Sequence, residues 1–352
     1  VTWHRLVGDH GSVAAALAAL PDVARAAGVE NYAPCPAEVA RHELAAGRAA
    51  GARLICFGAP EYPALLAELP DAPPVLWCLG DAGLMARQAV AVVGARNASS
   101  LGLRMARRLA EGLGQAGLVS LSGLARGIDA EVHRATLETG TVGVLAGGVD
   151  VPYPDENAPL YDALRDRGCL ISEQPMGMAP QARHFPLRNR IISGLARAVV
   201  VVEAATRSGS LLTARAALDQ GREVLAVPGH PFDARAGGCN QLIRDGATLV
   251  RGPADVLEAL DLPRGAALTP VPVAEDPPAP PLPGPSPARR PLADHAALHA
   301  QILARLGPSP LAEDQLIRDL SLPPAAVTAG LVTLELEGRV LRAAGGMVAR
   351  AE

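Results

Sequence analysis

The chain reads as an α/β protein: an extended Rossmann-like parallel sheet, with a small helical domain in front of it and a winged-helix domain behind. Three observations predict this. Between residues 49 and 262 short apolar runs alternate with helical patterns, as in a parallel sheet covered on both faces. Residues 263–292 (PRGAALTPVPVAEDPPAPPLPGPSPARRPL) are dense in proline and poor in large apolar residues, the composition of an extended linker. Beyond them, 293–352 holds three helical patterns and then two short strand-like runs. A chain of 352 residues also exceeds one ordinary core.

Taken in order, residues 1–48 are alanine-rich and helical (VAAALAALPDVARAAG, then PAEVARHELAAG), which predicts a small bundle. The strand-like runs of the middle are RLICF, AVAVVG, GLVSLSG, TVGVLAGG, CLISE, AVVVVEA and EVLAVPG. Helical segments such as GLRMARRLAEGLGQAG and LLTARAALDQG lie between them. In the tail, ADHAALHAQILARLG, LAEDQLIRDL and AAVTAGLVTLELEG precede RVLRAAGGMVAR, a hairpin around Gly345-Gly346. The third of these helices contains Glu335 and Glu337 and no arginine. Major-groove reading needs donors there, so a protein-contacting or regulatory role is expected instead.

Composition narrows the chemistry. No lysine occurs anywhere, which excludes the GxxxxGK[ST] phosphate loop and Schiff-base catalysis. Phosphates must be met by arginine forks and backbone N–H groups. With a net charge of −4, any anion-binding surface is a local patch. The five cysteines form no CxxC pair and are expected to be reduced and mostly buried, with no metal site. No signal pattern or long apolar stretch is present, so a cytoplasmic protein is expected.

Ligands of doubly wound sheets sit beyond the carboxyl ends of strands. After AVAVVG comes GARNASSLG, with Gly94, Arg96, Ser99 and Gly102. After GLVSLSG, whose last two residues are Ser122 and Gly123, comes LARGID, with Arg126 and Gly127. After AVVVVEA comes ATRSGSLLTA, with Ser208, Gly209 and Ser210. Small residues let backbone amides approach a phosphate, and packing alone does not require the arginines. Asp129 is placed to cap the helix that follows, and His133 reads as a surface or packing residue. A further segment, RHFPLRNRIISG, sets Phe185 and Asn189 among Arg183, Arg188 and Arg190, in a chain with only three phenylalanines. Bases stack on such rings while guanidinium groups follow the phosphates. No GxSxG elbow, HExxH pair or nucleophile–base arrangement is present, so no catalysed reaction and no cofactor are expected.

With these residues in view, the chain resembles the bacterial DNA-processing protein A family (DprA, also called Smf). The matching pieces are VGARNASSLG, SGLARGIDAEVH, LAGGVDVPYPDEN, HFPLRNRIISGLARAVVVVEA, SGSLLTARAALDQGREVLAVPG and GCNQLIRDGA. The resemblance implies a homodimer that binds single-stranded DNA and loads the RecA recombinase onto it in transformation and recombination. By motif, phosphates would meet Gly94, Arg96, Ser99, Gly102, Ser122, Gly123, Arg126 and Gly127. The HFPLRNR segment would add Phe185, Arg188, Asn189 and Arg190. Dimer contacts would fall on Asn240, Ile243 and Leu249. Members often use lysines around the groove, and here arginine must substitute. The alternative is a nucleoside-monophosphate phosphoribohydrolase of the lysine-decarboxylase-like class. Its catalytic glutamate has no counterpart here, where Thr213 and Ala214 stand.

Overall fold

Residues 2–262, 292–343 and 346–351 are described by the computed structural model. The proline-dense segment lies outside the described residues except for its last position, as does Gly345 of the expected hairpin turn. Three helices open the chain: α1 (Thr2–His10), α2 (Val13–Ala26) and α3 (Ala37–Ala49). Ser12 starts α2, its hydroxyl accepting the Ala15 N–H at 3.1 Å.

Among the described residues nine strands then form one sheet. They are β1 (Arg53–Cys56), β2 (Val75–Gly80), β3 (Ala89–Val93), β4 (Val119–Ser122), β5 (Thr141–Val144), β6 (Cys169–Ser172), β7 (Ala198–Val201), β8 (Glu223–Ala226) and β9 (Thr248–Leu249). Their order across the sheet is β1-β2-β6-β5-β4-β3-β7-β8-β9. From β6 through β9 all pairings are parallel, with Ala91 opposite Leu121 on one side and Val199 on the other.

Side-chain alternation sets the layers. In β3, Val90 and Val92 point to a core shared with Leu109 and Leu113 of α5 (Ser100–Gln115). Ala91 and Val93 point the other way, into a core shared with Ile191 and Ile192 of α8 (His184–Leu195). Between them lie α6 (Ile128–Thr136) and α7 (Ala158–Arg167), and one-turn α4 (Ala64–Ala67) precedes β2. Helices α9 (Ser210–Asp219), α10 (Gly237–Arg244) and α11 (Pro253–Ala259) complete the cover.

The edge departs from expectation. The RLICF run is β1, but it pairs antiparallel with β2, which itself runs antiparallel to β6. Only the single turn of α4 links β1 to β2, without the long crossover helix of a βαβ unit. Helix α3 closes this edge by laying Gly47 on the Trp77 ring, where an added Cβ would come within 2.2 Å of ring carbon.

The tail is a separate three-helix, three-strand module: α12 (Leu292–Arg305), β10 (Leu311–Ala312), α13 (Glu313–Leu320), α14 (Pro324–Leu336), β11 (Val340–Ala343) and β12 (Met347–Arg350). It has its own core of Ile302, Leu316, Leu331, Val340 and Val348. Strands β11 and β12 form the expected hairpin, and β10 adds to its far side.

Candidate nucleic-acid interface

Strands β4 to β6 lie to one side of β3 and β7 to β9 to the other, so the loops after β3 and β7 diverge at a switch point. A ligand crevice is expected there, and one of the chain's own carboxylates lines it. Glu203, just after β7, accepts the Ser99 N–H at 2.9 Å and the Ser99 hydroxyl. Ser99 in turn caps α5 through Gly102 N–H at 3.0 Å, and a Cβ at Gly102 would meet the Glu203 carboxyl at 2.4 Å. Ser99 and Gly102 therefore face Glu203 rather than a ligand, a correction to the sequence reading. Burial pushes the Glu203 carboxyl above its ordinary value, with the Ser99 bonds opposing.

The loop after β4 is filled in the same way. Asp129 does not cap its own helix; Gly127 stands at that position. Its carboxylate instead accepts the Gly123 N–H at 3.1 Å, and burial raises its pKa. Ser122 is wholly buried and donates to the Val92 carbonyl at 2.8 Å, while Gly94 packs on Ile128. Arg188 is also buried. It donates to the carbonyls of Gly123 (2.7 Å) and Val144, and a Cβ at Gly123 would strike its guanidinium. Burial brings its pKa down to about 10, against the pull of Asp129. Ser122, Gly123 and Arg188 thus brace the loops from beneath and present nothing to a phosphate, while Gly94 is half-buried against Ile128. His133 is buried rather than superficial, bonded to the Thr141 hydroxyl at 2.7 Å and brought down to about 3 by burial.

The bracing lifts other groups to the surface. Gly127, at φ +74°, fits under the Ala95 and Arg96 carbonyls, where a Cβ would lie 2.3 Å from oxygen. Ile128 N–H donates to Ala95 at 3.2 Å, and Asn157 holds the Leu124 carbonyl at 3.0 Å. The loops after β3 and β4 are therefore stitched together, with Arg96 and Arg126 exposed on them. Among the described residues Arg126 makes only an exposed ion pair, to Glu156 at 3.1 Å, worth at most about 1 kcal/mol.

Phe185 stands in the first turn of α8. The Arg96 guanidinium lies 5.4 Å from its ring centroid and that of Arg188 5.9 Å away. The half-exposed Tyr153 ring sits 5.8 Å from it, inclined at 54°. Asn189, four residues on, is on the same helix face and accepts from Arg188 Nε at 3.3 Å. Arg190 points elsewhere, bonded to Glu173 and 3.4 Å from Asp71, and leaves the site. Tyr153 was missed by sequence reasoning: its PYPDEN loop is quoted in the motif, but nothing there marks the tyrosine as the neighbour of Phe185. In the loop after β7, Gly209 is exposed at the start of α9 and Ser208 and Ser210 bond each other at 2.7 Å.

At the far edge Asn240 is committed internally, its amide bracketing Gly229 at 3.0 and 3.1 Å. Ile243 is half-buried against the core, and Leu249 is exposed on edge strand β9. Of the expected dimer contacts, Asn240 is an internal brace and Leu249 faces outward. Cys78, Cys169 and Cys239 are buried, Cys35 and Cys56 exposed. Among the described residues no cluster could hold a metal ion and no helix is long and apolar enough to cross a membrane.

Fold and site define an extended Rossmann-like protein with a helical module before the sheet, a winged helix after it, and an arginine–aromatic patch at the strand ends. Family models match in that order: a DprA-like N-terminal HHH domain at 1–46, DNA recombination-mediator protein A at 53–261 and the DprA winged helix domain at 285–346. The chain belongs to the DNA recombination-mediator protein A family. It is 43% identical to the DNA processing protein DprA of Bacillus subtilis over 62% of this chain and 74% of that one. It is 35% identical to protein Smf of Synechocystis over 81% and 77% respectively. The crystal structure of DprA from Streptococcus pneumoniae superimposes with TM-score 0.57 at 41% identity, over 58% of this chain and 73% of that one. DprA from Helicobacter pylori, whose structure is described for its single-stranded DNA binding mode, gives 0.55 at 25%, over 59% and 95%.

Proposed function

We propose that the chain binds single-stranded DNA as a recombination mediator, hands it to the RecA recombinase in the cytoplasm, and catalyses no reaction. The observation that carries this is the half-buried Phe185 ring flanked by exposed Arg96 and Tyr153, with Arg126 exposed on the loop stitched to that of Arg96. An aromatic face flanked by guanidinium groups stacks an unpaired base and holds its phosphates. Paired bases offer no free face to such a ring, so a duplex meets only the arginines. The single-stranded DNA binding described for the H. pylori relative supports the same reading. The homodimer expected from the family would use the β9 edge, where Leu249 is exposed.

The test is a mobility-shift series with single- and double-stranded oligonucleotides of one sequence. Clear preference for the single strand is expected, and equal affinity for both overturns the reading. RecA loading is checked by RecA ATP hydrolysis on single strands already coated with single-strand-binding protein. The chain should shorten the lag, and an unchanged lag removes RecA from the proposal.

A further inference from the structure

The arginines of α5 and α6 have no role in the site described above. Arg104 and Arg107 project from α5 and Arg134 from α6. Facing them across a cleft of about 770 Å³ are Arg305 of α12 and Arg318 of α13, with Gln301 and Gln315. Arg96 and Arg126 stand at its rim. Seven arginines thus line one cleft against three carboxylates, in a chain whose net charge is −4. Glu131 partly answers Arg107 at 2.6 Å and Arg134 at 3.7 Å, whereas Arg104 has no hydrogen bond or ion pair among the described residues.

The roof is held by charged donors on carbonyls. Arg235, braced by Asp233, donates to Ala304 at 2.7 Å and Leu306 at 2.9 Å, satisfying the open end of α12. Arg305 donates to Ala98, in the loop after β3, at 3.0 Å. The winged helix is therefore tied to the same loop that carries Arg96, and Arg96 touches Phe185.

We propose that this cleft is a second segment of the single-stranded DNA site, built jointly by the sheet domain and the winged helix; it rests on the function proposed above. Its lining has no aromatic side chain, so it grips sugar-phosphate backbone without stacking bases. Arg96 joins the two segments into one track from the Phe185 ring to the cleft. The winged helix then meets DNA through its first two helices, and arginine-free α14 takes no part. This revises the protein-contacting or regulatory role expected for the module.

The experiment is fluorescence anisotropy on the full chain with oligothymidylates of about 4 to about 16 nucleotides, titrated with salt. The double variant Arg104→Ala/Arg318→Ala should bind the shortest oligomers within about twofold of wild type. It should lose at least about tenfold on the longest, with the slope of log affinity against log salt flatter by about 0.7 per contact removed. Arg104→Lys/Arg318→Lys keeps the charges and should recover most of the loss, which separates phosphate contact from misfolding. Wild-type affinity and slope at every length, or an equal loss at all lengths, overturns the cleft while leaving the Phe185 site standing. Failure of the wild type to bind any length instead overturns the function itself.

Discussion

Phe185 and the exposed arginines Arg96 and Arg126 answer to different forces. A guanidinium that neutralises a phosphate releases condensed counterions, whereas stacking releases none. Arg96→Ala and Arg126→Ala should each flatten the salt dependence of oligothymidylate binding by about 0.7. Phe185→Ala should lose about 1–3 kcal/mol of affinity with the slope unchanged. Anisotropy titrations decide it, and a slope that moves only in the Phe185 variant reverses the roles. His133 supports a separate measurement. Folded, it stays neutral down to about 3, while in the unfolded chain it titrates near 6.5. Between those values the unfolded state holds more protons, so stability is lost as pH falls through that window, by at most about 1.4 kcal/mol per unit. His133→Gln should flatten this part of the acid-denaturation profile. A variant as acid-sensitive as wild type assigns the loss to other groups.

At the scale of elements, glycine contacts decide how pieces meet. Gly47 lets α3 lie flat on Trp77, and Glu43 of the same helix accepts the indole N–H at 2.9 Å. Gly47→Ala should cost about 1–3 kcal/mol in urea denaturation and redden tryptophan emission, with DNA affinity unchanged. Gly127→Ala, forced against the Arg96 carbonyl, should lower both stability and affinity, because it separates the stitched arginine loops. The strands around β3 were legible because Val-rich runs buried on both faces leave a continuous apolar signature. The edge was not: β2 reads VLWCLG behind two prolines, and strand direction is set by a connection whose single helical turn carries little periodicity. The site was legible by residue type more than by role. Motif spacing marked Arg96, Arg126 and Phe185, which the fold leaves at the strand ends, together with Ser99, Ser122 and Arg188, which it commits to internal hydrogen bonds. A small or basic residue beside a glycine reads alike whether it faces solvent or supports the loop from below. Asp129, a few residues past Gly123, and Glu203, far in sequence from Ser99, decide which it is.

For the whole molecule, the exposed edge at β9 is where a two-fold partner would dock. Replacing Ile243 and Leu249 by glutamate should give a folded monomer that holds single strands more weakly, through lost avidity. Light scattering that still reports a dimer moves the interface elsewhere. The carboxylate of Glu203 has a consequence at this scale too. Free mononucleotides crowd the cell, and the switch point of a doubly wound sheet is where they would lodge. The Glu203 carboxyl, bonded to the Ser99 N–H that leads into α5, already takes the place at that helix start where a phosphate would sit. The exposed cations run from the Arg96 rim along the cleft between the sheet domain and the winged helix, placed to meet successive phosphates of a polymer. Millimolar ATP should therefore compete poorly with a bound oligonucleotide. On the function proposed above, a nucleotide-type scaffold is turned from single nucleotides to a polymer, and the length of the chain is what it reads.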